Sequence, residues 1–440
     1  MKHLRMNKRP ELSALIWFFS MALGPAQSQA LQTEGSEALT IEQAVAEAIQ
    51  KNLDLIAERY NLPIADARIV TAKLRPNPVL SLWGNYLDIL GTGFNAATNA
   101  AGPSESGARV DFVLERGGKR QERIAVAEDS KAVSQLQLLN STRTLILDVQ
   151  SAFVDVLQAK ADLALARENL GAFEEIVRVN TSRFTSGDVA EVELIRSQVA
   201  QLQFENTVRQ AELRLQTARA RLQGLVGRRR GDRVVDAIGE MRRDETPLLR
   251  EALRERAFAQ RPDLSAQRRD SARSQAELRL QLAQGEVDYT VGAAATRQWV
   301  NGLDAGNAMS FSFSMPLPLY NKNQGEIARA RQELMQVEAR IRALETTIEN
   351  EVDIAYLKYQ NARTSLGRIE ESLLAKAKDV RQVTEYAYRR GEATFLELLD
   401  AQRAYNETVQ AHNEAQAEFA RSLYNIDSTT GVNVSDQRRP

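Results

Sequence analysis

Glu397 and Asp400 stand three residues apart in the stretch AYRRGEATFLELLDAQ, Ala387 to Gln402. On a helix that spacing puts both carboxylates on one face. Side chains suited to covalent chemistry are scarce around them. The chain has no cysteine, which removes disulfides, thiolate metal sites and cysteine catalysis together. His3 lies near the N-terminus, and His412 stands alone in a charged helical stretch, where it reads as a surface or packing residue rather than a metal ligand. ERGGKRQ (Glu115 to Gln121) holds a Gly-Lys pair but lacks the earlier glycine and the following Ser or Thr of a phosphate-binding loop. No nucleophile elbow or catalytic carboxylate motif stands out from the helical background. The expectation is a protein that is not an enzyme, with no catalytic, cofactor or metal site.

The elements that carry the pair are long helices. Aromatic residues make up only 6% of the 440 residues, with 23 glycines and 11 prolines, a composition that favours long helices over a thick core. The 57 basic and 58 acidic residues leave a formal charge of −1, which gives no footprint for nucleic acid. At the N-terminus, Lys2, Arg5, Lys8 and Arg9 precede the apolar SALIWFFSMAL (Ser13 to Leu23) and the small-residue patterns ending at Ser28 and Ala30. Residues 1–30 therefore read as a cleaved export signal, the apolar run being short of the ~20 residues of a spanning helix. Without cysteine, no lipoprotein anchor is expected.

The chain repeats itself. RFTSGDVAEVELIRSQ around Gly187 aligns with AYRRGEATFLELLDAQ around Gly391, so that Phe184 meets Tyr388, Glu193 meets Glu397 and Gln198 meets Gln402. NLDLIAE (Asn52 to Glu58) likewise echoes RPDLSAQ (Arg261 to Gln267). The expected organisation is a first repeat over 31–227, a charged connector over 228–247, a second repeat over 248–430 and a tail over 431–440. Each repeat runs helix, two alternating segments, two long helices. Thr40 and Gln43 supply capping chemistry for the first helix, and LREALRERAFAQRP is read as its counterpart.

Alternation of period two predicts strands at about 79–90, 108–115, 288–300 and 308–319. In MSFSFSMPLPL, Met309, Phe311, Phe313, Met315, Leu317 and Leu319 alternate with serines or prolines. Turn-rich loops, Gly91 to Gly107 and Asn301 to Asn307, join the strands in pairs. Their length suits a tilted membrane strand, yet four strands cannot close a barrel and open edges are not tolerated in lipid. Oligomerisation follows as an expectation. A heptad seam runs through Val149, Phe153, Val156, Leu163, Leu170, Phe173 and Val177, and again from Ile348 through Leu366, Ile369, Leu373, Val380 and Val383 to Ala387. A helix from Lys322 to Tyr388 would span on the order of 100 Å.

With these residues in view, the chain resembles the outer membrane factor or TolC-type family of tripartite efflux systems. The resemblance covers the mature chain and rests on the duplicated order, on LRPNPVLSL (Leu74 to Leu82) and on the two glycine motifs. PLPLYNKNQGEIARAR (Pro316 to Arg331) is similar to the branch that exports cobalt, zinc, cadmium, nickel or copper. The resemblance implies an α+β fold: a homotrimer sharing one ~12-stranded outer-membrane barrel, four strands per chain, continued by a periplasmic α-helical barrel of coiled-coil hairpins. It implies a periplasmic adaptor and a proton-driven inner-membrane RND pump as partners, in the envelope of a Gram-negative bacterium. Multidrug export or type I secretion is the alternative cargo reading, and an exported trimeric coiled-coil surface protein the alternative of a different class.

The family positions also imply residue roles. Gly187 and Gly391 mark hairpin tips, with Phe184, Arg183, Arg389 and Arg390 meeting the adaptor. Glu397 and Asp400 form acidic rings at the closed end, which would favour cations. Tyr388 and Glu193 match one inter-hairpin link of the family's gate, while its arginine–threonine link is replaced here by Ala393 and Val192.

Overall fold

The computed structural model describes residues 37–87, 89–90, 104–229, 232–244, 247–300 and 303–432. The expected export signal, most of the loop from Gly91, Asn301 and the tail from 433 lie outside the described residues.

The first half contains β1 (Glu37–Leu39), α1 (Ile41–Lys51), α2 (Leu53–Arg59), α3 (Asn61–Lys73), β2 (Val79–Asn85), β3 (Ser104–Leu114), α4 (Lys119–Thr185) and α5 (Glu191–Val226). The second contains β4 (Val235–Ala237), α6 (Arg250–Gln260), α7 (Pro262–Gln284), β5 (Tyr289–Val300), β6 (Leu303–Ser314), α8 (Gln324–Arg368), a π-helical turn (Ile369–Leu373), α9 (Leu374–Arg390) and α10 (Phe395–Thr430). A capping box between Thr40 and Gln43 opens α1 as expected. Leu249 opens α6 without a side-chain cap, so that part of the parallel does not hold.

The echo between NLDLIAE and RPDLSAQ has a structural cause. Asn52, between α1 and α2, donates from Nδ2 to Leu225 O at 3.0 Å, and Arg261, between α6 and α7, donates to Thr429 O at 3.5 Å. Each acceptor lies two residues before the glycine that ends the long helix, Gly227 or Gly431. Gly227 has φ +82°, and a Cβ there would fall 2.3 Å from Lys51 O. The same knot is therefore tied at the base of both repeats.

The connector is not a free linker. Its β4 segment pairs in parallel with β1, and Val235 and Ala237 are fully buried in the core with Val149, Val156 and Leu222. Asp236 accepts from Lys160 and Arg219, which holds this segment on the long helices. Its alternation of apolar and charged residues carries that fate, VVDAI being a short strand inside a basic stretch.

The four longer strands form an antiparallel sheet of order β2-β3-β5-β6. One face presents Leu80, Leu82, Phe112, Leu114, Met309, Phe311 and Phe313, all well exposed. Register places Ser81, Arg109, Ala294 and Ser310 side by side on the opposite face. Strand ends differ from expectation. β2 stops at Asn85 because Tyr86 turns left-handed (φ +55°), and β6 stops at Ser314 because Pro316 and Pro318 cannot donate to a ladder. Conversely, Ser104 to Gly107 and Leu303 to Asn307, expected in loops, extend β3 and β6.

Both strand pairs feed the rods through left-handed residues, Gly118 before α4 and Asn323 before α8. ERGGKRQ and YNKNQGE are thus equivalent turns. The α4–α5 seam buries Val149, Phe153, Val156 and Leu163 as read from the heptads. In α8 the seam holds from Ile348 through Val352, Ala355, Tyr359 and Ala362 to Leu366, then fails. From the end of the π-turn onward, Leu373, Val380 and Val383 are exposed, and the inward set becomes Leu374, Ala377, Arg381, Thr384 and Tyr388. The π-turn accommodates one extra residue, which advances every inward position by one.

Candidate functional site

Two helix ends meet at the far tip of the hairpins. α4 stops at Thr185 and α9 at Arg390, each followed by a left-handed glycine, Gly187 (φ +83°) and Gly391 (φ +76°). Asp188 N donates to Arg183 O and Gly187 N to Phe184 O; Glu392 N donates to Ala387 O and Gly391 N to Tyr388 O. Both ends are Schellman motifs, which use the αL residue that glycine adopts without a Cβ penalty. α5 and α10 then return antiparallel, Phe173 packing on Phe204 and Arg167 pairing with Glu212. A continuous rod is thereby excluded.

Under the tips lies a small core of Phe173, Ala200, Tyr388, Phe395 and Leu398. Tyr388 is 3% exposed, yet its hydroxyl lies 3.0 Å from Glu193 Oε1 and 2.7 Å from Asn180 Oδ1. Burial pushes the phenol up to about 12, and Glu193 adds in the same direction. The proton is therefore held throughout the neutral range, and Tyr388 faces the carboxylate as a donor. The sequence pointed to Tyr388 and Glu193; it gave no signal for Asn180.

Arg183 joins the two tips in a second way. Its guanidinium donates to Arg389 O at 2.6 Å and Tyr388 O at 3.5 Å, and sits 5.7 Å from the Tyr388 ring centre. A cation at the last carbonyls of α9 is favoured by the helix dipole. The arginine–threonine link absent from this chain thus has a counterpart in which the arginine comes from the first hairpin. Val192 is exposed, and Ala393 packs on the tip core.

The other expected residues sit apart from this cluster. Arg389 pairs with Glu385 at 2.6 Å, Arg390 lies over the Tyr386 ring, and Phe184 is partly exposed. Glu397 is the N3 residue of a capping box with Thr394, a signal legible in TFLE. Hydrogen bonds from the Thr394 backbone and hydroxyl hold its carboxyl below the usual value. Glu397 and Asp400 are both exposed on α10. His412 lies 3.2 Å from Glu370 of the π-turn, which also pairs with Arg243. A cleft of about 710 Å³ opens between the tips, lined by Arg183, Glu193, Arg196, Tyr388, Phe395 and Leu396 among others. Among the described residues no group of three or more His, Cys, Asp or Glu is placed to hold a metal, and no helix is long and apolar enough to cross a membrane.

The two hairpins are thus joined at their tips by the Tyr388–Glu193 and Arg183–Arg389 contacts. The sequence profile of the outer membrane efflux protein family matches residues 44–228 and 253–432, one block in each repeat. The cobalt-zinc-cadmium resistance protein CzcC of Cupriavidus metallidurans is 24% identical over 373 residues, 84% of either chain. The outer membrane efflux protein BepC of Brucella suis is 22% identical over 90% of this chain and 86% of its own. The solved structure of CusC, described by its transmembrane channel formation, superposes with a TM-score of 0.73 at 16% identity, covering 89% of this chain and 92% of that one.

Proposed function

The chain belongs to the outer membrane efflux protein family, and on that premise we propose that it is the outer-membrane exit duct of a tripartite, proton-driven system exporting divalent heavy-metal cations. The observation that carries the duct is the join between the sheet and the hairpins. An open sheet with one apolar face cannot stand in lipid with its β2 and β6 edges unpaired. Three copies joined edge to edge would close a barrel of ~12 strands, apolar outside and polar within. The α4 rod of 67 residues then reaches on the order of 100 Å into the periplasm.

Mechanism follows from the tips. Tyr388, held by Glu193, and Arg183, held by the α9 carbonyls, tie the second hairpin to the first and keep the periplasmic end narrow. Opening requires both contacts to part. The exposed surface of Phe184, Gly187, Arg389, Arg390 and Gly391 would receive the periplasmic adaptor, which couples the duct to an RND pump. Glu397 and Asp400, repeated three times, would form acidic rings that favour cations at the entrance.

The match to CzcC over 84% of the chain supports a metal cargo. BepC, named as an outer membrane efflux protein with no cargo, matches over as much of the chain, and a wide duct can leave selection to pump and adaptor, which keeps export of organic compounds as the second reading. Growth of a strain lacking the gene, on graded cobalt, zinc, cadmium, nickel and copper and on dyes and antibiotics, separates them. Hypersensitivity to metals, restored by the intact gene, is the expected result; sensitivity confined to drugs or dyes overturns the metal assignment and keeps the duct.

A further inference from the structure

Asn180 is fully buried at the tip, on the α4 turns just above Gly187. As placed, its Oδ1 and Glu193 Oε1 both face the hydroxyl of Tyr388, at 2.7 and 3.0 Å. A phenol has one proton and can satisfy only one of two acceptors. Meanwhile Asn180 Nδ2 is buried without a hydrogen-bond partner. Both faults have one remedy. Amide oxygen and nitrogen are assigned from their surroundings, and a half-turn of the amide exchanges them with no other movement. Nδ2 then donates to the Tyr388 oxygen, and the single phenol proton is free for Glu193. The remaining carbonyl oxygen is the less costly group to leave short of a partner.

We infer that the latch is a directed relay, Asn180 N–H to Tyr388 O–H to the Glu193 carboxylate, with Asn180 a positioning residue that fixes which way the tyrosine proton points. The relay rests on the reading that Tyr388 and Glu193 hold the tip closed. Donation into an ionised acceptor is the stronger kind of hydrogen bond, and Asn180 removes the competitor for it. Among the described residues, the charged groups facing Tyr388 are Glu193 on α5 and Arg183 on α4, while α10 contributes the apolar Phe395 and Leu398.

The test is Asn180→Asp in the full chain, reconstituted in planar bilayers, with wild type and Tyr388→Phe/Glu193→Gln measured alongside. An ionised aspartate cannot donate, and it competes with Glu193 for one proton; when protonated it donates again. The relay therefore predicts an open probability roughly tenfold above wild type at neutral pH, as for losing a hydrogen bond to a charged group. The ratio to wild type should fall toward one as the pH is lowered. A ratio of one throughout, or a raised ratio that ignores pH, overturns the relay, the second outcome marking Asn180 as packing only. Should the aspartate variant not assemble, Asn180→Ala carries the test: raised open probability is expected, and wild-type behaviour overturns the relay. If Tyr388→Phe/Glu193→Gln opens the channel while both Asn180 variants behave as wild type, the relay alone fails. If that double variant leaves the channel unchanged, the closed-latch reading fails first.

Discussion

Arg261 and Gly227 show how much of this chain is decided by single residues far from the tip. Arg261 is 3% exposed and meets Asp263 and Glu351 as well as Thr429 O. Burial raises the Asp263 carboxyl, but the hydrogen bond and charge of Arg261 outweigh that and leave it below its ordinary value. A depressed carboxylate stabilises the fold above its unfolded pKa and stops doing so as pH falls through its folded value. Arg261→Met should therefore cost about 3 kcal/mol near neutrality, by leaving the buried Asp263 carboxylate with only Leu264 N and the more distant Arg143. In thermal unfolding, the gap from wild type should narrow below the ordinary Asp range of about 4. Glycines divide in the same way. Gly187→Ala meets open space and incurs only left-handed strain, about 1 kcal/mol, whereas Gly227→Ala also strikes the Lys51 backbone. Thermal denaturation should rank Gly227→Ala well below Gly187→Ala, and equal losses would remove the knot from the account. The tip glycines were legible because duplicated spacing marks them, and Tyr388 and Glu193 came forward through the family resemblance. Asn180 was not, since a buried asparagine on a helix carries no pattern until its partners are placed.

Helices and strands were legible wherever one period ran unbroken. The heptads located the α4–α5 seam, and alternation located all four long strands. Both failed where a local backbone event reset the count. After Leu366, the sequence offers two adjacent series, Leu373, Val380, Val383 and Ala387 or Leu374, Arg381, Thr384 and Tyr388. The first is the more hydrophobic, yet the π-turn selects the second. That choice has a consequence at the tip, because it turns Tyr388 rather than Ala387 toward Asn180 and Glu193. Deleting Ser372 should restore an unbroken α-helix and keep Tyr388 inward, since the deleted residue is the one the π-turn absorbs, whereas inserting one alanine after Leu374 should rotate the rest of α9 by about 100° and swing Tyr388 out of the latch. Raised channel conductance with intact assembly is expected from the insertion and wild-type conductance from the deletion; wild-type conductance from the insertion would separate the register of α9 from closure. The strand ends failed for related reasons: two prolines cut β6 short, and a polar Ser-Glu-Ser-Gly run joined β3 because its partners supplied the ladder.

At the scale of the molecule, two kinds of interface divide the labour. Within each hairpin the seams are apolar, Val149 to Phe173 in one and Ile348 to Leu366 in the other. Between hairpins, α4 and α10 share two small apolar patches, Val154 with Ala417, Ala420 and Tyr424 and the tip core around Phe173, and otherwise meet through polar contacts: Gln402 to Asn169, Asn413 to Asp162, Arg421 to Asp155 and Gln158. Apolar seams keep each hairpin rigid, while side-chain hydrogen bonds, worth about 0.5–1.5 kcal/mol each, can be exchanged as one hairpin shifts against the other. On the proposed function, the latch at the tip would decide whether that shift occurs. On this reading the chain forms a channel closed at its periplasmic end by the grip of Tyr388 on Glu193. Single-channel conductance of Tyr388→Phe/Glu193→Gln in planar bilayers tests it directly. A small wild-type conductance and a severalfold larger one in the double variant are expected; equal conductances would mean that this contact does not close the channel.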